Sequence, residues 1–345
     1  MRRPDAMAAA LWWLGQATNR TFVLPLVVFF PTSRCTSRCV SCAWWASDGS
    51  DDMTIDEIDM VAKSLVPLGT RLVVFSGGEP LLRPDVFEAA RCFRDRGMAL
   101  HLLTSGIGLT PRAADVVRWF DRVIISLDGS TESAYLAVRG VSALRALERG
   151  VARLRRLAPA LPITARATLH RANFRELPLL IAKAHAMRLT AISFLAADVT
   201  SPAFGPRAPG AMQPLLLERQ DVKEFRALID AVTQTQAADF ASGFIAESPG
   251  KLRRLAQYYA AMLGDEPFPP QACNAPWVSA VVESNGDVRP CFFHPPVGNV
   301  RRLSMATLVC RHLRAFRAGL DVDTNPVCRR CVCSLKVGWR HAPWN

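Results

Sequence analysis

The sequence contains no apolar stretch long enough to cross a lipid bilayer, because its longest, over 22–30, is interrupted by Pro25. Lysine is also scarce: only five of the 42 basic residues are lysine, and the rest are arginines spread along the chain. The formal net charge of +12 therefore comes without a concentrated lysine-rich patch, which argues against nucleic acid as a partner. A tRNA-modifying enzyme is a further alternative that only the positive net charge supports. Salt-sensitive binding of RNA would test that alternative.

Cysteine is nearly absent from the middle of the chain, where only Cys92 lies between two groups. Three cysteines fall within eight residues near the N-terminus, and six fall in the last quarter. The apolar segment 8–14 is followed by a poor signal-peptidase site, so we expect a cytoplasmic protein. Clustered cysteines in that setting indicate metal or redox chemistry rather than disulfides. The sequence thus predicts two metal sites, one at each end.

Over 22–236, apolar runs rich in Val, Ile, Leu and Phe alternate with amphipathic helical stretches. The predicted strands are Val23–Phe30, Arg71–Phe75, Ala99–Leu103, Arg122–Leu127, Ile163–Leu169 and Ala191–Leu195. Short, nearly continuous apolar runs suit parallel strands that are buried on both faces. Six strand–helix units predict an α/β fold, a partial (β/α)6 TIM-like barrel, with its chemistry at the carboxyl ends of the strands. Capping-box spacing marks two helix starts, Thr54 with Glu57 and Asn173 with Glu176.

The rest of the chain divides into shorter parts. We expect an N-terminal amphipathic segment over 1–21, the barrel over 22–236, a linker with one helix over 237–267, and a small cysteine-rich α+β domain over 268–345. Within the last part, Asn285-Gly286 separates two apolar runs and predicts a hairpin turn. Such a hairpin would bring Cys273 and Cys291 together.

The first cysteine group reads Cys35-x3-Cys39-x2-Cys42 and follows the first predicted strand. Three thiolates on a four-iron cluster leave one iron without a protein ligand, and that open position permits chemistry on a bound molecule. A structural zinc loop, or three unrelated thiols, are the alternatives that these residues leave open.

Together with Ser76-Gly77-Gly78-Glu79-Pro80 after the second strand, this motif resembles the radical S-adenosylmethionine superfamily over about 22–236. The resemblance implies a [4Fe–4S] cluster on Cys35, Cys39 and Cys42, with S-adenosylmethionine bound to it. It also implies that Gly77, Gly78 and Glu79 hold the amino group of S-adenosylmethionine. The further cofactor-binding residues that it implies are Pro80, Thr104, Ser105, Ser126, Asp128 and Arg166.

Some of these positions have plainer readings. Ser126 and Asp128 could form a strand-end turn, and Arg166 could be a salt-bridge residue inside the barrel. The sequence also departs from the superfamily pattern, because Ser41 stands before the third cysteine where an aromatic residue is frequent. Trp44 and Trp45 follow at once and could supply an aromatic surface for the adenine.

The C-terminal pattern is Cys273-x12-Gly286-x4-Cys291, then Cys310, then Cys328-x2-Cys331-x-Cys333. It resembles the SPASM extension of radical enzymes or its shorter twitch form, which implies at least one auxiliary [4Fe–4S] cluster. The expected ligands are Cys273, Cys291, Cys328 and Cys331, with Cys310 and Cys333 as alternative or extra ligands. A zinc ribbon is the alternative for paired cysteines of this kind.

The resemblance implies that an electron from a carrier such as flavodoxin or ferredoxin cleaves S-adenosylmethionine to a 5′-deoxyadenosyl radical, which abstracts a substrate hydrogen. With an auxiliary cluster as electron acceptor, the net reaction is an oxidative modification, expected on a peptide. A dehydrogenase of a small metabolite such as an amino sugar is the alternative enzyme. A non-catalytic electron carrier or redox sensor is the alternative of another class. Because only about 30 residues precede the cysteine motif, the sequence favours either a small substrate or a separate peptide-recognition protein.

Overall fold

The computed structural model describes residues 6–205 and 210–338, in which nine strands form one sheet. The strands are β1 Leu26–Thr32, β2 Leu72–Gly77, β3 Ala99–Thr104, β4 Arg122–Ser126, β5 Ile163–Leu169, β6 Ala191–Ala196, β7 Ser279–Val282, β8 Asp287–Arg289 and β9 Gly298–Asn299. Their order across the sheet is β6-β5-β4-β3-β2-β1-β7-β8-β9. Neighbours among β1 to β6 pair in parallel, which confirms the predicted partial barrel.

Helical segments connect the parallel strands and pack on the sheet. The helices are α1 Ala6–Thr18, α2 Ile55–Leu65, α3 Val86–Arg94, α4 Leu109–Trp119, α5 Glu132–Arg139, α6 Leu144–Leu157, α7 Leu177–Ala186, α8 Arg219–Thr235, α9 Ala237–Ser242, α10 Pro249–Met262, α11 Ala275–Val278, α12 Met305–Thr307, α13 Leu313–Ala318 and α14 Pro326–Arg329. A π-helical turn over Leu308–His312 joins α12 to α13. All six predicted strands are therefore present, with helices between them.

Of two local predictions, one strand boundary differs from the structure and one helix start agrees with it. The first strand begins at Leu26 and not at Val23, because Pro25 has no N–H to donate to a ladder. The capping box at Thr54 and Glu57 is confirmed, since each residue's side chain accepts from the other's backbone N–H.

The second predicted capping box, Asn173 with Glu176, is wrong. The Asn173 amide donates to the carbonyl of Asp128 at 2.9 Å, and the Glu176 carboxylate accepts from the Ser130 N–H at 2.9 Å. Both side chains thus form hydrogen bonds that connect the loop after β4 to the loop after β5, and neither caps the helix. Spacing alone could not reveal these competing long-range partners.

The C-terminal hairpin extends the barrel's own sheet. Strand β7 pairs in parallel with β1, and β8 returns antiparallel to β7. Gly286 has φ +88° at the turn between them, so the Asn285-Gly286 turn is confirmed. The hydrogen-bonded sheet crosses the expected boundary at 268, and the division into domains stays a prediction. The first five and last seven residues of the chain lie outside the described residues.

Helix α1 packs at the amino ends of β1, β2 and β7. Its Trp12 is 3% exposed and packs in a cluster with Leu26, Leu72 and Val278, whereas Trp13 is 62% exposed. Within 6–205 and 210–338, no helix has both the length and the apolar character needed to cross a membrane.

Phe75 is fully buried at the centre of the core and meets three other rings. Its ring centroid lies 5.4 Å from that of Phe29, 5.7 Å from Phe93 and 5.3 Å from Phe120. We predict that Phe75→Ala lowers the free energy of unfolding by about 3–5 kcal/mol, through lost burial and an unfilled cavity. Anaerobic urea titration of the purified protein measures it. The control Leu179→Ala, at a side chain 52% exposed, should change it by less than about 0.5 kcal/mol; equal effects would contradict the core assignment.

Candidate active site

The three cysteines of the first motif line one cavity at the carboxyl ends of β1 to β5. The loop that carries them is fixed at its start, where Ser33 donates its N–H and its hydroxyl to Asp52, each at 3.0 Å. None of the three forms a disulfide within the described residues. Burial raises the pKa of Cys35 and raises that of Cys39 to about 12. These thiols therefore need cationic partners to be held as thiolates.

The end of β2 approaches this loop through backbone contacts. Gly78 donates to the Thr32 carbonyl at 3.1 Å, and Glu79 donates to the Arg34 carbonyl at 2.8 Å. A Cβ on Gly78 would lie 2.2 Å from the Arg34 oxygen and 2.7 Å from the Ser33 oxygen. Gly77 adopts φ +97°, a conformation that favours glycine. Both glycines are thus required by the contact between β2 and the cysteine loop.

Glu79 is buried at 2% exposure and links the ends of β2 and β3. Its carboxylate accepts from the Thr104 hydroxyl at 2.7 Å and from the Ser105 N–H at 2.6 Å. The Ser105 hydroxyl has no hydrogen-bond partner among the described residues, although it is buried in the cavity wall. Pro80 begins a 3₁₀ turn and does not line the cavity.

The ends of β4 and β5 complete the polar side of the cavity. Ser126 pairs in register with Arg166, and the Arg166 Nε lies 3.3 Å from the Ser193 hydroxyl. Asp128 is 4% exposed and accepts the Thr168 N–H at 2.7 Å. The cavity thus brings together every implied cofactor residue of the barrel except Pro80.

Sequence reasoning missed Arg139, the last residue of α5, which also lines this cavity. Its Nη1 lies 3.2 Å from the Asp128 carboxylate, and the two side chains are 14% and 6% exposed. Its Nε is enclosed and has no hydrogen-bond partner among the described residues. An arginine at the end of an exposed-looking helix gives no signal in sequence, because cations are common there.

Aromatic side chains form the opposite wall of the cavity. Phe30, Trp44, Phe204, Phe292 and Phe293 line it, and the ring of Trp44 lies 5.8 Å from that of Phe30. Of the two tryptophans after the cysteine motif, only Trp44 lines the cavity; Trp45 is 43% exposed. The site is therefore polar and thiol-rich on one side and aromatic on the other.

A second, smaller cavity is lined by Cys273, Cys291, Cys328 and Cys331. Phe293 lines both cavities and separates them. No group of three or more Cys, His, Asp or Glu in the described ranges is arranged to hold a single metal ion. This geometry gives no support to a mononuclear zinc site.

The remaining candidates lie in different places. Cys310 is exposed on the π-helical turn and lines neither cavity, whereas Cys333 lines the larger one and donates its N–H to the Cys331 sulfur at 3.4 Å. His294 follows Cys291 by three residues, a position that favours a surface-loop residue, with a metal ligand as the alternative. Its side chain is buried at 4% exposure. Its Nε2 lies 3.3 Å from the Cys328 sulfur, and its ring packs on Phe316 at 4.8 Å.

Two family profiles match the chain: one described as the radical SAM superfamily over residues 29–178, and SPASM, an iron–sulfur cluster-binding domain, over residues 273–332. The chain is 28% identical to a PqqA peptide cyclase of Ruegeria pomeroyi over 92% of its own length and 82% of the relative's. It is 32% identical to an AdoMet-dependent heme synthase of Methanosarcina barkeri, over 44% of each chain. The match thus spans less than half of that synthase.

Solved structures give the same fold. SuiB of Streptococcus suis bound to S-adenosylmethionine superposes with TM-score 0.64 at 12% identity, over 96% of this chain and 77% of that one. The enzyme anSMEcpe with bound AdoMet gives TM-score 0.62 at 17% identity, over 89% of this chain and 86% of that one. At these identities the likeness concerns the fold alone.

The chain carries a radical SAM superfamily domain over residues 29–178 and a SPASM iron–sulfur cluster-binding domain over residues 273–332. Its cofactors are accordingly a [4Fe–4S] cluster, S-adenosylmethionine and auxiliary iron–sulfur clusters, as predicted. This replaces the zinc alternatives. The residues present fit these groups, because three cysteines without disulfides line one cavity together with Ser105 and Arg139. The Ser105 hydroxyl and the Arg139 Nε have no hydrogen-bond partner among the described residues.

We predict that Gly78→Ala disrupts the cavity, because the new methyl group would collide with the backbone of the cysteine loop. The variant should lose most of its cluster iron at the barrel site and the change that S-adenosylmethionine causes in the electron paramagnetic resonance (EPR) spectrum of the reduced protein. The matched control is Gly250→Ala in α10, where no atom lies closer than 4.0 Å to the added Cβ. Normal iron and a normal spectral response in Gly78→Ala would refute the proposed need for glycine.

Proposed function

We propose that this protein cleaves S-adenosylmethionine reductively and uses the resulting radical for the oxidative modification of a peptide. The observation that carries the proposal is that the two cysteine cavities share a wall, the side chain of Phe293. A group held by the auxiliary cysteines would then lie one side chain from the cavity in which a substrate radical forms. This arrangement suits an oxidation, in which an electron must leave the substrate.

The peptide as substrate class is supported by the relatives. The PqqA peptide cyclase matches nearly the whole chain, and a further structure of SuiB contains its precursor peptide SuiA. The aromatic wall of the cavity offers an apolar surface to a peptide side chain. We further propose a separate peptide-recognition protein, and flavodoxin or ferredoxin as electron donor.

Each group would be held by residues already placed around the cavity. Cys35, Cys39 and Cys42 would hold the [4Fe–4S] cluster, leaving one iron open. The S-adenosylmethionine residues would be Gly77, Gly78 and Glu79 at the amino group, Thr104 and Ser105 at the ribose, and Arg166 at the carboxylate. Ser126 and Asp128 would be further cofactor-binding residues. The auxiliary cluster would be held by Cys273, Cys291, Cys328 and Cys331.

When bound, these groups supply a 5′-deoxyadenosyl radical that removes a substrate hydrogen atom and an acceptor for the electron released afterwards. The chain's own residues bind and orient the cofactors and the substrate, and they exclude water from the cavity. The loop after β6 closes over the cysteine loop, since Ala43 donates its N–H to the Phe204 carbonyl at 2.7 Å. The aromatic wall then keeps the cavity dry, which protects a radical from side reactions.

An oxidation also releases a proton, and three carboxylates line the cavity: Glu79, Asp128 and Asp198. Glu79 and Asp128 are engaged on the cofactor side. Asp198 follows β6, at 5% exposure, and its Oδ2 accepts the hydroxyl of Ser201. Its Oδ1 also accepts from Thr200 and from the Ser201 N–H, and we propose that one of these three carboxylates takes up the proton.

Anaerobic reconstitution tests the proposal. We expect about eight irons for two four-iron clusters, and formation of 5′-deoxyadenosine on addition of dithionite and S-adenosylmethionine. Cys39→Ala should lose about four irons and all deoxyadenosine, and Cys291→Ala should lose about four irons while it still forms deoxyadenosine. Cys92→Ala, a thiol in α3 outside both cavities, is the control and should keep both. Fully loaded wild type that forms no deoxyadenosine and shows no spectral response to S-adenosylmethionine would indicate an electron carrier.

A substrate panel tests the peptide assignment. Short peptides and amino sugars are added to the reconstituted protein, and the rate of deoxyadenosine formation is compared with the rate without substrate. Peptides should raise the rate, because a bound substrate couples cleavage to hydrogen abstraction. Stimulation by amino sugars alone would replace the peptide with a small metabolite as substrate.

A further inference from the structure

The last turn of α5 is docked on the cysteine loop through its backbone. The Val138 carbonyl accepts the N–H of Val40 at 3.0 Å, between the second and third cysteines of the motif. Gly140 ends the helix at φ +67°, and a Cβ there would lie 2.3 Å from the Arg38 carbonyl oxygen. Arg139 lies between these two contacts, so its position relative to the cysteine loop is fixed on both sides.

The guanidinium of Arg139 lines the same cavity as the three cysteines of the first motif. Its side chain is 14% exposed, and its Nη1 lies 3.2 Å from the Asp128 carboxylate. Its Nε has no hydrogen-bond partner among the described residues. Arg139 is thus a buried cation in the cavity of the cysteines, on a helix end that contacts their loop.

We propose that Arg139 is a positioning residue for the cluster on Cys35, Cys39 and Cys42, and that its buried positive charge makes this cluster easier to reduce. The inference rests on the proposed cluster-binding role of these three cysteines. It assigns to the end of α5 a function that neither the cysteine motif nor the Gly-Gly-Glu motif supplies.

The physical reason is electrostatic. Reduction adds one negative charge to the cluster and its thiolates, and a nearby cation stabilises the reduced form more than the oxidised form. In a site shielded from water, this preference is far larger than at the protein surface. Asp128 offsets part of this effect, because its carboxylate lies 3.2 Å from the Arg139 Nη1.

The test is a potentiometric EPR titration of reconstituted holoenzyme, comparing wild type with Arg139→Gln and Arg139→Lys. Arg139→Gln should reduce the ratio of reduced to oxidised barrel cluster about tenfold at the wild-type midpoint, which is about 59 mV for one electron. Arg139→Lys keeps the charge at a different position and should show a smaller loss. The auxiliary cluster, titrated in the same sample, should keep its potential.

The matched control is Arg38→Gln, which removes the same charge from the cysteine loop itself. Arg38 is exposed, with its guanidinium 5.9 Å from the Trp45 ring, and water and salt screen its charge. Its variant should titrate like wild type. Equal potentials in wild type and both Arg139 variants, at normal iron content, would overturn the inference.

Iron content separates a charge effect from a fold defect. Iron lost from Arg139→Gln but retained in Arg139→Lys supports the role of the charge, and the potential is then compared between Arg139→Lys and wild type. Equal iron loss in both variants with a changed circular dichroism spectrum would assign Arg139 a merely structural role and overturn the inference. Wild type that binds no cluster on these cysteines would instead refute the proposed function.

Discussion

The end of β2 meets the cysteine loop through backbone alone, and this contact determines where the three thiols lie relative to the rest of the cavity. Gly78 allows the approach, since any side chain would overlap the carbonyl oxygens of Ser33 and Arg34. Glu79 then continues the connection to β3 through Thr104 and Ser105. The parallel sheet supplies the geometry for all of this, because it brings the carboxyl ends of β1 to β5 to one edge. The cavity is therefore a consequence of strand register and glycine placement before any cofactor binds.

Charge is the second constraint on the site. Three thiols, Glu79 and Asp128 make the cavity rich in potential negative charge, and burial raises the pKa of Cys35 and Cys39. Arg139 and Arg166 are the cations that line the cavity among the described residues, and they come from different elements, α5 and β5. A site of this kind holds thiolates only when cations, from the protein or from bound iron, compensate the cost of burial. We therefore propose that the charge at the end of α5 influences the redox chemistry of the cysteine loop, which α5 contacts.

The fold and most of the site were predictable because both depend on local signals. Apolar runs marked the six parallel strands, and cysteine spacing marked the two metal-binding regions. Pairing of β7 with β1 was not predictable, because parallel partners more than 200 residues apart share no periodic pattern. Arg139 was missed and His294 was misread for a related reason. The role of each depends on residues that are distant in the sequence and pack against it in the fold. The Asn173–Glu176 capping box failed likewise, since spacing cannot exclude stronger partners elsewhere in the chain.

The central claim is that S-adenosylmethionine binds through its amino group to a cluster held by the three cysteines of the first motif. Pulsed EPR of the reduced protein with S-adenosylmethionine labelled by nitrogen-15 at the amino group tests it most directly. The account predicts a hyperfine coupling between the label and one cluster, and its disappearance when Cys42 is replaced by alanine. A fully loaded, reduced protein in which the label couples to neither cluster would contradict the account.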